Sequence, residues 1–520
     1  MKAMFLFVCY PHFCLFVATI SIHLSWKQLG ELLSINELLC EYMKTVQYIR
    51  FREVVNLVNN AGHRAFIFLI DAQDAYYRVP IHPDDFRYNG LKWGKKYWIF
   101  KSLQMGLASS PKIYTEFADA IEWMCVKKFE KIAFCNNIQQ LRHYIDDFFA
   151  CLSSLQDARK LYKGLFELMK ELGIPTRFDK CTPPCWLAKI LGWMYNTDLR
   201  RVEFPDDKCE ELIQLILRLL KTRKSDKKSL ERLIGKLINA SLVIFPGKAF
   251  VRRLQAILYL PGLVYNIPIP LNDFICEDLQ WWLKILQQKE LTCTSFDLLL
   301  KLPSDGDFHI YTDASSKIGI GGHVEGHYFQ VAWLNTILWD VTGKRDNFDI
   351  ELLETLGSLV AILLWGDKFT NKSVTIYNDN PGAASAIRTK APRLNRLDMQ
   401  FLIRELAYLA TNNKFYFWGI HITQAESDGM RLADQLSRFS AKNMNDLNLI
   451  DDSIKATLIC NDLISKLVNL PINLPKNRDI SALRRKEYNI LLNDDLLKSQ
   501  LLKLNDTTIE SQKHYNILNL

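Results

Sequence analysis

The chain has 520 residues, of which 49% are hydrophobic and 23% charged, and its net charge is 65 − 57 = +8. This composition excludes a disordered or collagen-like protein and predicts roughly three domains of ~150 residues each. The mild positive charge allows a polyanionic partner. Twelve cysteines are too few for a disulfide scaffold, which favours a reducing, intracellular compartment, the cytoplasm or the nucleus.

The first 24 residues are aromatic and aliphatic, with one early lysine. Such a segment is compatible with a signal peptide, a poor membrane span, or an apolar extension without function. We favour an extension over residues 1–33. No clean run of 18 apolar residues follows residue 30, so we expect no stable membrane association and keep it only as a minor possibility.

Hydrophobic periodicity and turn residues predict the elements that follow. The apolar run 65–70 predicts a buried strand, and a hairpin turns at Gly94. A helix is expected over about 111–129, then two short strands around an acidic turn at 143–151. Strands and helices alternate to about residue 200, which indicates a mixed α and β domain. Helices dominate 205–300, and mixed elements return at 307–440.

Carboxylates stand where the first strands end. Asp71 follows the apolar strand directly, and Asp146 and Asp147 occupy the turn between the two short strands. Aspartates brought together from separate strands repel one another unless a cation balances their charge, and Mg²⁺ prefers hard oxygen ligands. Two such ions can activate an attacking hydroxyl and stabilise a leaving pyrophosphate. From the turn alone, a polar hairpin without function is the simpler interpretation.

The surrounding motifs favour the catalytic interpretation. In order along the chain they are DAQDAYYRVPIHP from 71, LQMGLASSP from 103, YIDD from 144, GIPT from 173 with Lys180, and LGWMY from 191. This series resembles the palm motifs of reverse transcriptases. The resemblance begins near residue 34 and implies an α+β fold with a right-hand-type polymerase palm, partial fingers and a helical thumb.

The resemblance also implies roles for single residues. Asp71, Asp146 and Asp147 fall on the catalytic aspartates, and the first two of these would hold two Mg²⁺ ions, with Mn²⁺ as a possible substitute. The positions that would contact the incoming dNTP are Tyr76, Met105, Gly106 and Lys180. Tyr76 would exclude a ribose 2′-hydroxyl or serve as a core aromatic, and Lys180 would protonate pyrophosphate or remain a solvated lysine. Gln104 departs from the usual proline, and Asp74 is interpreted as a cap or turn residue.

A second acidic series follows residue 307. Asp313 ends a strand, Glu351 and Glu354 share a helix face, Asp379 follows another strand, and Asp434 lies in a helix. Carboxylates from four elements are typical of two-metal hydrolysis of a phosphodiester. The order resembles ribonuclease H fused to retroelement reverse transcriptases, and implies an α/β domain over 301–442.

That second resemblance implies a nuclease site that holds two Mg²⁺ ions. Its ligands would be Asp313, Glu354, Asp379 and Asp434, with Glu354 preferred to Glu351, and His421 would be the mobile histidine. The substrate would be an RNA–DNA hybrid. The partners of the whole chain would then be an RNA template, a DNA primer, the hybrid and dNTPs.

Between the two acidic series, residues 201–300 resemble the thumb and connection of tyrosine-recombinase (DIRS-like) retroelements. The motifs are SLERLIGKL from 229, FPGKAFVRRL from 245 and DLQWW from 278. The basic residues Lys248, Arg252 and Arg253 would contact duplex phosphates, or lie on a solvated helix face. Residues 443–520 are rich in asparagine and are interpreted as a linker or a weakly folded helical tail.

One expected motif is missing. Reverse transcriptases carry a basic fingers segment before the first aspartate, and here Arg50 and Arg52 are the nearby candidates for it. Two hypotheses remain. The first is a retrotransposon RNA-directed DNA polymerase with ribonuclease H activity. The alternative is a 5′-truncated or decayed copy that binds nucleic acid without polymerising.

Overall fold

The computed structural model describes residues 3–10, 13–20, 46–258, 268–336, 349–394, 396–441, 449–468 and 470. The chain divides into two compact units. The first comprises 1–205 and 295–300, and the second comprises 206–294 and 301–520. The apolar start of the chain forms an antiparallel hairpin of β1 (Ala3–Tyr10) and β2 (Phe13–Ile20). Among the described residues, no helix combines the length and apolar character needed to cross a membrane.

The rest of the first unit contains four helices and eleven strands among its described residues. The helices are α1 (Phe51–Ala61), α2 (Ser110–Lys128), α3 (Leu155–Glu171) and α8 (Phe296–Leu300). The strands are β3 (Phe66–Asp71), β4 (Gly90–Trp93), β5 (Lys96–Ile99), β6 (Phe134–Cys135), β7 (Ile138–Gln139), β8 (Arg142–Tyr144), β9 (Asp147–Leu152), β10 (Thr182–Cys185), β11 (Leu187–Ile190), β12 (Trp193–Asn196) and β13 (Arg201–Glu203).

A four-stranded antiparallel sheet in the order β10-β3-β9-β8 is the centre of this unit. Its apolar side chains form one core with α2 and α3, in which Phe68, Phe148, Tyr114 and Leu161 are buried together. Ser154 caps α3 by accepting a hydrogen bond from the Asp157 amide, as the sequence pattern of a helix start predicts. The core therefore fixes the ends of β3 and β9, where the aspartates lie.

The second unit begins with helices and continues as a mixed sheet. Its helices are α4 (Asp206–Thr222), α5 (Lys227–Ala240), α6 (Arg252–Leu258), α7 (Asp273–Leu286), α9 (Ile350–Trp365), α10 (Pro381–Thr389), α11 (Leu397–Asn412), α12 (Asp428–Ser437) and α13 (Ser453–Val468). Its strands are β14 (Lys224–Ser225), β15 (Ile269–Pro270), β17 (Phe308–Ala314), β18 (Gly319–Val324), β19 (His327–Ala332), β20 (Ser373–Asn378), β21 (Tyr416–His421) and β22 (Ile450–Asp451); β16 (Cys293–Ser295) lies at the boundary of the units.

The sheet of the second unit has the order β21-β20-β17-β18-β19-β22. The β17, β20 and β21 strands are parallel, whereas β18 and β19 pair antiparallel in a meander. Gly321 on β18 is required by packing, because a Cβ there would lie 2.5 Å from the Leu436 Cβ on α12. This glycine lets α12 approach the strand that carries Asp313.

The predicted tail contains a folded segment. The α13 helix buries Cys460, Leu463 and Ile464, and β22 pairs with β19. The carboxylate of Asp452 accepts a hydrogen bond from the Trp365 indole at 2.9 Å. Residues 450–468 thus complete the second unit beyond residue 442. Of the two alternatives for the tail, the helical one describes residues 453–468, whose apolar face is buried.

Candidate polymerase and nuclease sites

The three aspartates of the polymerase motifs lie together at one end of β3 and β9, the two central strands of the first sheet. Asp71 and Asp147 are opposite each other in the antiparallel pairing of β3 and β9. The Ala72 amide donates to the Asp146 carbonyl oxygen at 2.9 Å. Directly opposed residues have Cα atoms roughly 5 Å apart. We call Asp71, Asp146 and Asp147 the strand-edge aspartates.

The turn between β8 and β9, which carries Asp146, is strained. Ile145 has φ = 55° although its side chain is β-branched, and Tyr144 pairs with Asp147 across the turn. A β-branched residue in this left-handed region costs on the order of 1–3 kcal/mol, and such strain concentrates at functional sites. Behind the turn, His143 Nδ1 lies 2.7 Å from the Glu122 carboxylate, which also accepts from Arg142 at 3.2 Å.

Burial and mutual repulsion disfavour charge at the strand-edge aspartates. Burial, followed by the charges of Asp146 and Asp71, raises the pKa of Asp147 to about 6. The pKa of Asp146 is also raised, first by burial. Lys180 Nζ lies 3.5 Å from the Asp71 carboxylate and opposes this effect. The oxygen donors and the excess of negative charge suit hard divalent cations.

Two of the predicted nucleotide-pocket residues, Lys180 and Tyr76, lie near the strand-edge aspartates. Tyr76 is half-buried, its ring meets Tyr114 edge-on at 5.6 Å, and burial raises its pKa, with a smaller contribution from Asp146. Met105 is 71% exposed, and Gly106 has φ = +90°, a conformation that other residues rarely adopt. These two residues therefore present an exposed loop between β5 and α2.

The departure at Gln104 has a local explanation. Its side-chain amide donates to the Asn89 side-chain oxygen at 2.8 Å, and its carbonyl accepts from the Ser110 hydroxyl at 2.8 Å. Asp74 precedes a single 3-10 turn in a left-handed conformation, but its side chain makes no capping hydrogen bond. It lies 3.4 Å from Arg78 instead. Asp74 is thus a turn residue, as one of the predicted alternatives states.

The two candidates for the basic fingers segment, Arg50 and Arg52, lie at the start of helix α1. Arg50 stands at its start, where its amide donates to the Glu53 carboxylate at 2.7 Å. The Arg52 guanidinium donates to the Leu300 carbonyl at 2.8 Å. Arg50 also lines a cavity of about 470 Å³ together with Tyr48, Asp119 and His143. The contact between Glu122 and His143, next to the YIDD turn, was not predicted, because no sequence motif marks it.

The second acidic site is more enclosed. Asp313 near the end of β17 and Asp379 just after β20 lie on neighbouring parallel strands, and Glu354 projects from α9. Ligand atoms of these three residues all lie within 4.8 Å of one another. Within the described part of the chain, no other group of three His, Cys, Asp or Glu side chains meets this criterion. We call these three residues the carboxylate triad.

Two hydrogen bonds fix the triad's glutamate. Glu354 is 2% exposed, and its two oxygens accept from the Ala314 amide and the Asn378 side chain, each at 3.0 Å. Burial, followed by the charges of Asp313 and Asp379, raises the Glu354 pKa well above its usual range. Burial likewise raises the pKa of Asp313 to about 6. Three carboxylates this close fit a divalent cation, which would offset their charge.

The fourth predicted ligand stands outside the triad. Asp434 on α12 accepts from Arg438 Nε at 2.5 Å and from the Gln424 amide at 3.0 Å. The Gln424 nitrogen is also 3.4 Å from Asp379, so it spans the gap between two predicted ligands. Ser437 donates to Asp313 at 2.5 Å. Gln424, Ser437 and Arg438 were not predicted, because hydrogen-bonding roles of this kind leave no spacing pattern.

The remaining predictions for this site concern His421 and Glu351. His421 is exposed at the end of β21, with Nε2 3.0 Å from the Asp379 carbonyl oxygen. Glu351 faces Arg396, which lies 3.1 Å from its carboxylate. The structure therefore brings Glu354, rather than Glu351, to Asp313 and Asp379, in agreement with the preference from the sequence.

One predicted nucleic-acid contact is wrong. Arg253 is 6% exposed and lies 3.8 Å from the fully buried Asp278, which also pairs with Arg404 at 2.7 Å. A guanidinium held inside this ion-pair cluster cannot reach a phosphate. Arg252 is half-buried and donates to the Pro392 carbonyl at 2.7 Å, whereas Lys248 is exposed. The sequence showed that basic residues cluster in this segment, but it could not show which of their side chains point into the protein.

Comparison with known proteins agrees with the first site. Residues 27–195 match the family described as reverse transcriptase (RNA-dependent DNA polymerase). The chain is 25% identical over 169 residues to Protein P of duck hepatitis B virus (strain China), and 26% identical over 169 residues to Protein P of heron hepatitis B virus. Each match covers 32% of this chain and 20% of the viral protein, so the chain spans about a fifth of these relatives' length.

Solved structures to which this chain shows some similarity include two complexes of the foamy viral protease-reverse transcriptase, the first of them of its dRH form. The complex with double-stranded DNA gives a TM-score of 0.40 at 15% identity, covering 81% of this chain and 66% of the other. The complex with an RNA/DNA hybrid gives 0.39 at 15% identity, covering 74% and 47%.

The family match covers the strand-edge aspartates. Residues 27–195 are similar to reverse transcriptases, and the predicted resemblance to the reverse transcriptases of retroelements is confirmed for this part of the chain. The expectation of a mixed α and β fold with a palm sheet is also confirmed.

Proposed function

We propose that the chain is an RNA-directed DNA polymerase with ribonuclease H activity from a DIRS-like retrotransposon. The observation that carries the polymerase is the meeting of Asp71 with Asp146 and Asp147 at one strand edge, inside the segment that matches the reverse transcriptase family. The enzyme would join a primer 3′-hydroxyl to the α-phosphate of a dNTP, with release of pyrophosphate.

The strand-edge aspartates would hold two Mg²⁺ ions, or Mn²⁺ in their place. Bound there, the ions would supply charge stabilisation to the transferring phosphoryl group. Lys180, next to Asp71, would give a proton to the leaving pyrophosphate. Tyr76 would close the pocket beside the sugar, and Met105 and Gly106 would contact the nucleotide and template.

The nuclease proposal has its own observation, the carboxylate triad. Asp313, Glu354 and Asp379 would hold metal, with Asp434 as a further ligand and His421 beside them. Oxygen donors from a strand, a helix and a second strand end suit two-metal cleavage of a phosphodiester. The substrate would be the RNA strand of an RNA–DNA hybrid.

The domain assignment belongs to the same proposal. Partial fingers and palm would cover 34–200, a helical thumb and connection 201–300, and the ribonuclease H-like domain 301–442 with its extension to residue 468. The exposed Lys248 and the half-buried Arg252 remain candidates for phosphate contacts. The template, the primer, the hybrid and dNTPs would be the partners, inside the cell.

Two substitutions test this proposal in opposite directions. Asp146→Asn should reduce primer extension at least about 10³-fold and leave hybrid cleavage intact, whereas Asp379→Asn should do the reverse. Extension of a DNA primer on an RNA template and cleavage of a labelled hybrid are measured with Mg²⁺. Asp157→Asn and Asp367→Asn are matched controls, because neither lies at an acidic site, and both should preserve the two activities.

Two results would contradict the proposal. Loss of both activities from either single substitution would exclude two independent sites. Duplex binding by the unsubstituted chain without extension would support the alternative, a copy that binds nucleic acid without polymerising.

A further inference from the structure

The carboxylate triad and Asp434 differ in how their charge is balanced. Within the described residues, Glu354 accepts only from neutral donors, and Asp313 accepts from the neutral Ser437 hydroxyl. Asp434 instead faces a cation, because Arg438 lies one helical turn later on α12 and pairs with its carboxylate. The Gln424 amide donates to the same Asp434 oxygen at 3.0 Å.

We propose that Arg438 and Gln424 form a latch that occupies Asp434 until the second cation of the nuclease site binds. This inference rests on the proposed nuclease function. Both donors reach the same oxygen, Asp434 Oδ1, and the arginine charge lies directly on the carboxylate that a second cation would use. Arg438 is half-exposed, so its guanidinium can turn into solvent when the carboxylate is taken by a cation.

The latch predicts that the two cations bind in order. The triad's three ligand atoms already lie within 4.8 Å of one another, so the first ion needs only small side-chain shifts. The second ion must displace an arginine charge that also acts on Asp313 and Asp379. The first ion therefore binds more tightly, and Arg438 weakens the second. Arg438 is in this sense a positioning residue, which acts on the site through Asp434.

The experiment is a Mn²⁺ titration of the full chain, followed by electron paramagnetic resonance and calorimetry without substrate. The chain carries Asp146→Asn, which removes a proposed metal ligand from the strand-edge aspartates, so that the Mn²⁺ signal comes from the nuclease site. Arg438→Gln should tighten the weaker Mn²⁺ site about two- to fivefold and leave the tighter site unchanged, because an exposed ion pair is worth about 0.2–1 kcal/mol. Gln424→Ala should act in the same direction with a smaller effect.

Arg431→Gln is the matched control. It lies on the same helix and pairs with Asp428, away from the triad, so Mn²⁺ binding should not change. Arg438→Lys retains a cation at the same position and should keep the second site weak. A second measurement is thermal unfolding, in which Mn²⁺ should raise the melting temperature more in Arg438→Gln than in the unsubstituted chain.

The outcomes separate the latch from the nuclease. If the weaker site is unchanged or lost in Arg438→Gln, the latch is wrong and the ion pair merely supports the helix. If the chain binds no Mn²⁺ and Asp379→Asn changes nothing in the titration, the nuclease proposal fails together with the latch.

Discussion

The strand-edge aspartates and the carboxylate triad use the same chemical group in two different ways. The first set comes from two adjacent strands and one turn, with Asp146 and Asp147 half-buried. The triad comes from three elements of the second unit, and Glu354 is held by the Ala314 amide and the Asn378 side chain. The difference shows that a site made of neighbouring strand ends can remain open, whereas one made across a sheet and a helix is assembled before a metal arrives.

After loss of the aspartates themselves, the largest effect should come from Lys180, which belongs to the open site alone. Lys180→Ala should slow primer extension roughly 100-fold, as expected for loss of a general acid, and should leave hybrid cleavage unchanged. Single-nucleotide incorporation as a function of pH is the measurement. Lys180→Arg keeps the charge beside Asp71 but donates a proton poorly, and Lys160→Ala is an exposed control. Full activity in Lys180→Arg would assign Lys180 to charge balance instead.

A smaller effect should be seen in the gain in the free energy of unfolding that Mg²⁺ produces, which should depend more on the carboxylate triad than on the strand-edge aspartates. At an ion concentration 100 times its Kd, a bound cation adds about 2.7 kcal/mol to the free energy of unfolding. Glu354→Gln should abolish most of this gain, because it removes a charged ligand from the pre-assembled triad. Glu351→Gln, three residues earlier, should lose its ion pair with Arg396 but keep the gain.

Chemical unfolding of each variant, measured once with EDTA and once with Mg²⁺, gives its free energy of unfolding without and with the bound cation. Asp147→Asn at the open site should reduce the gain less than Glu354→Gln does. An equal reduction would mean that the two sites are equally pre-assembled, against the comparison above.

The smallest effect is the pH dependence of the metal-free chain. The folded pKa of Asp313 is about 6, above the ordinary value of about 3.9, so the folded state holds a proton that the unfolded state releases. Its contribution to stability is therefore present at low pH and is lost as the pH rises from about 4 through 6. The loss is on the order of 2 kcal/mol.

Urea unfolding in EDTA between pH 4.5 and pH 7.5 measures this dependence. Asp313→Asn should flatten it, and Asp147→Asn should flatten it less, because Asp147 is only half-buried and solvent screens its charge. A pH dependence identical in all three proteins would show that neither carboxylate titrates in this window.

Prediction from sequence succeeded where the signal is local. The strand before Asp71 was visible as an apolar run, and the helix that carries Glu351 and Glu354 was predicted from the sequence. Prediction failed where the direction of a side chain decides its role. Arg253 stands in a basic motif, yet Asp278 and Arg404 lie around it inside the second unit.

The amino-acid sequence by itself determined the identity of both sets of acids, because each follows a strand or lies in a helix with a recognisable pattern. Only the tertiary structure decided that three carboxylates converge while Asp434, outside the triad, accepts from Arg438 and Gln424. The reason is physical: helix and strand periodicity are properties of neighbouring residues, whereas the distance between two charges depends on how α12 packs against β18 at Gly321.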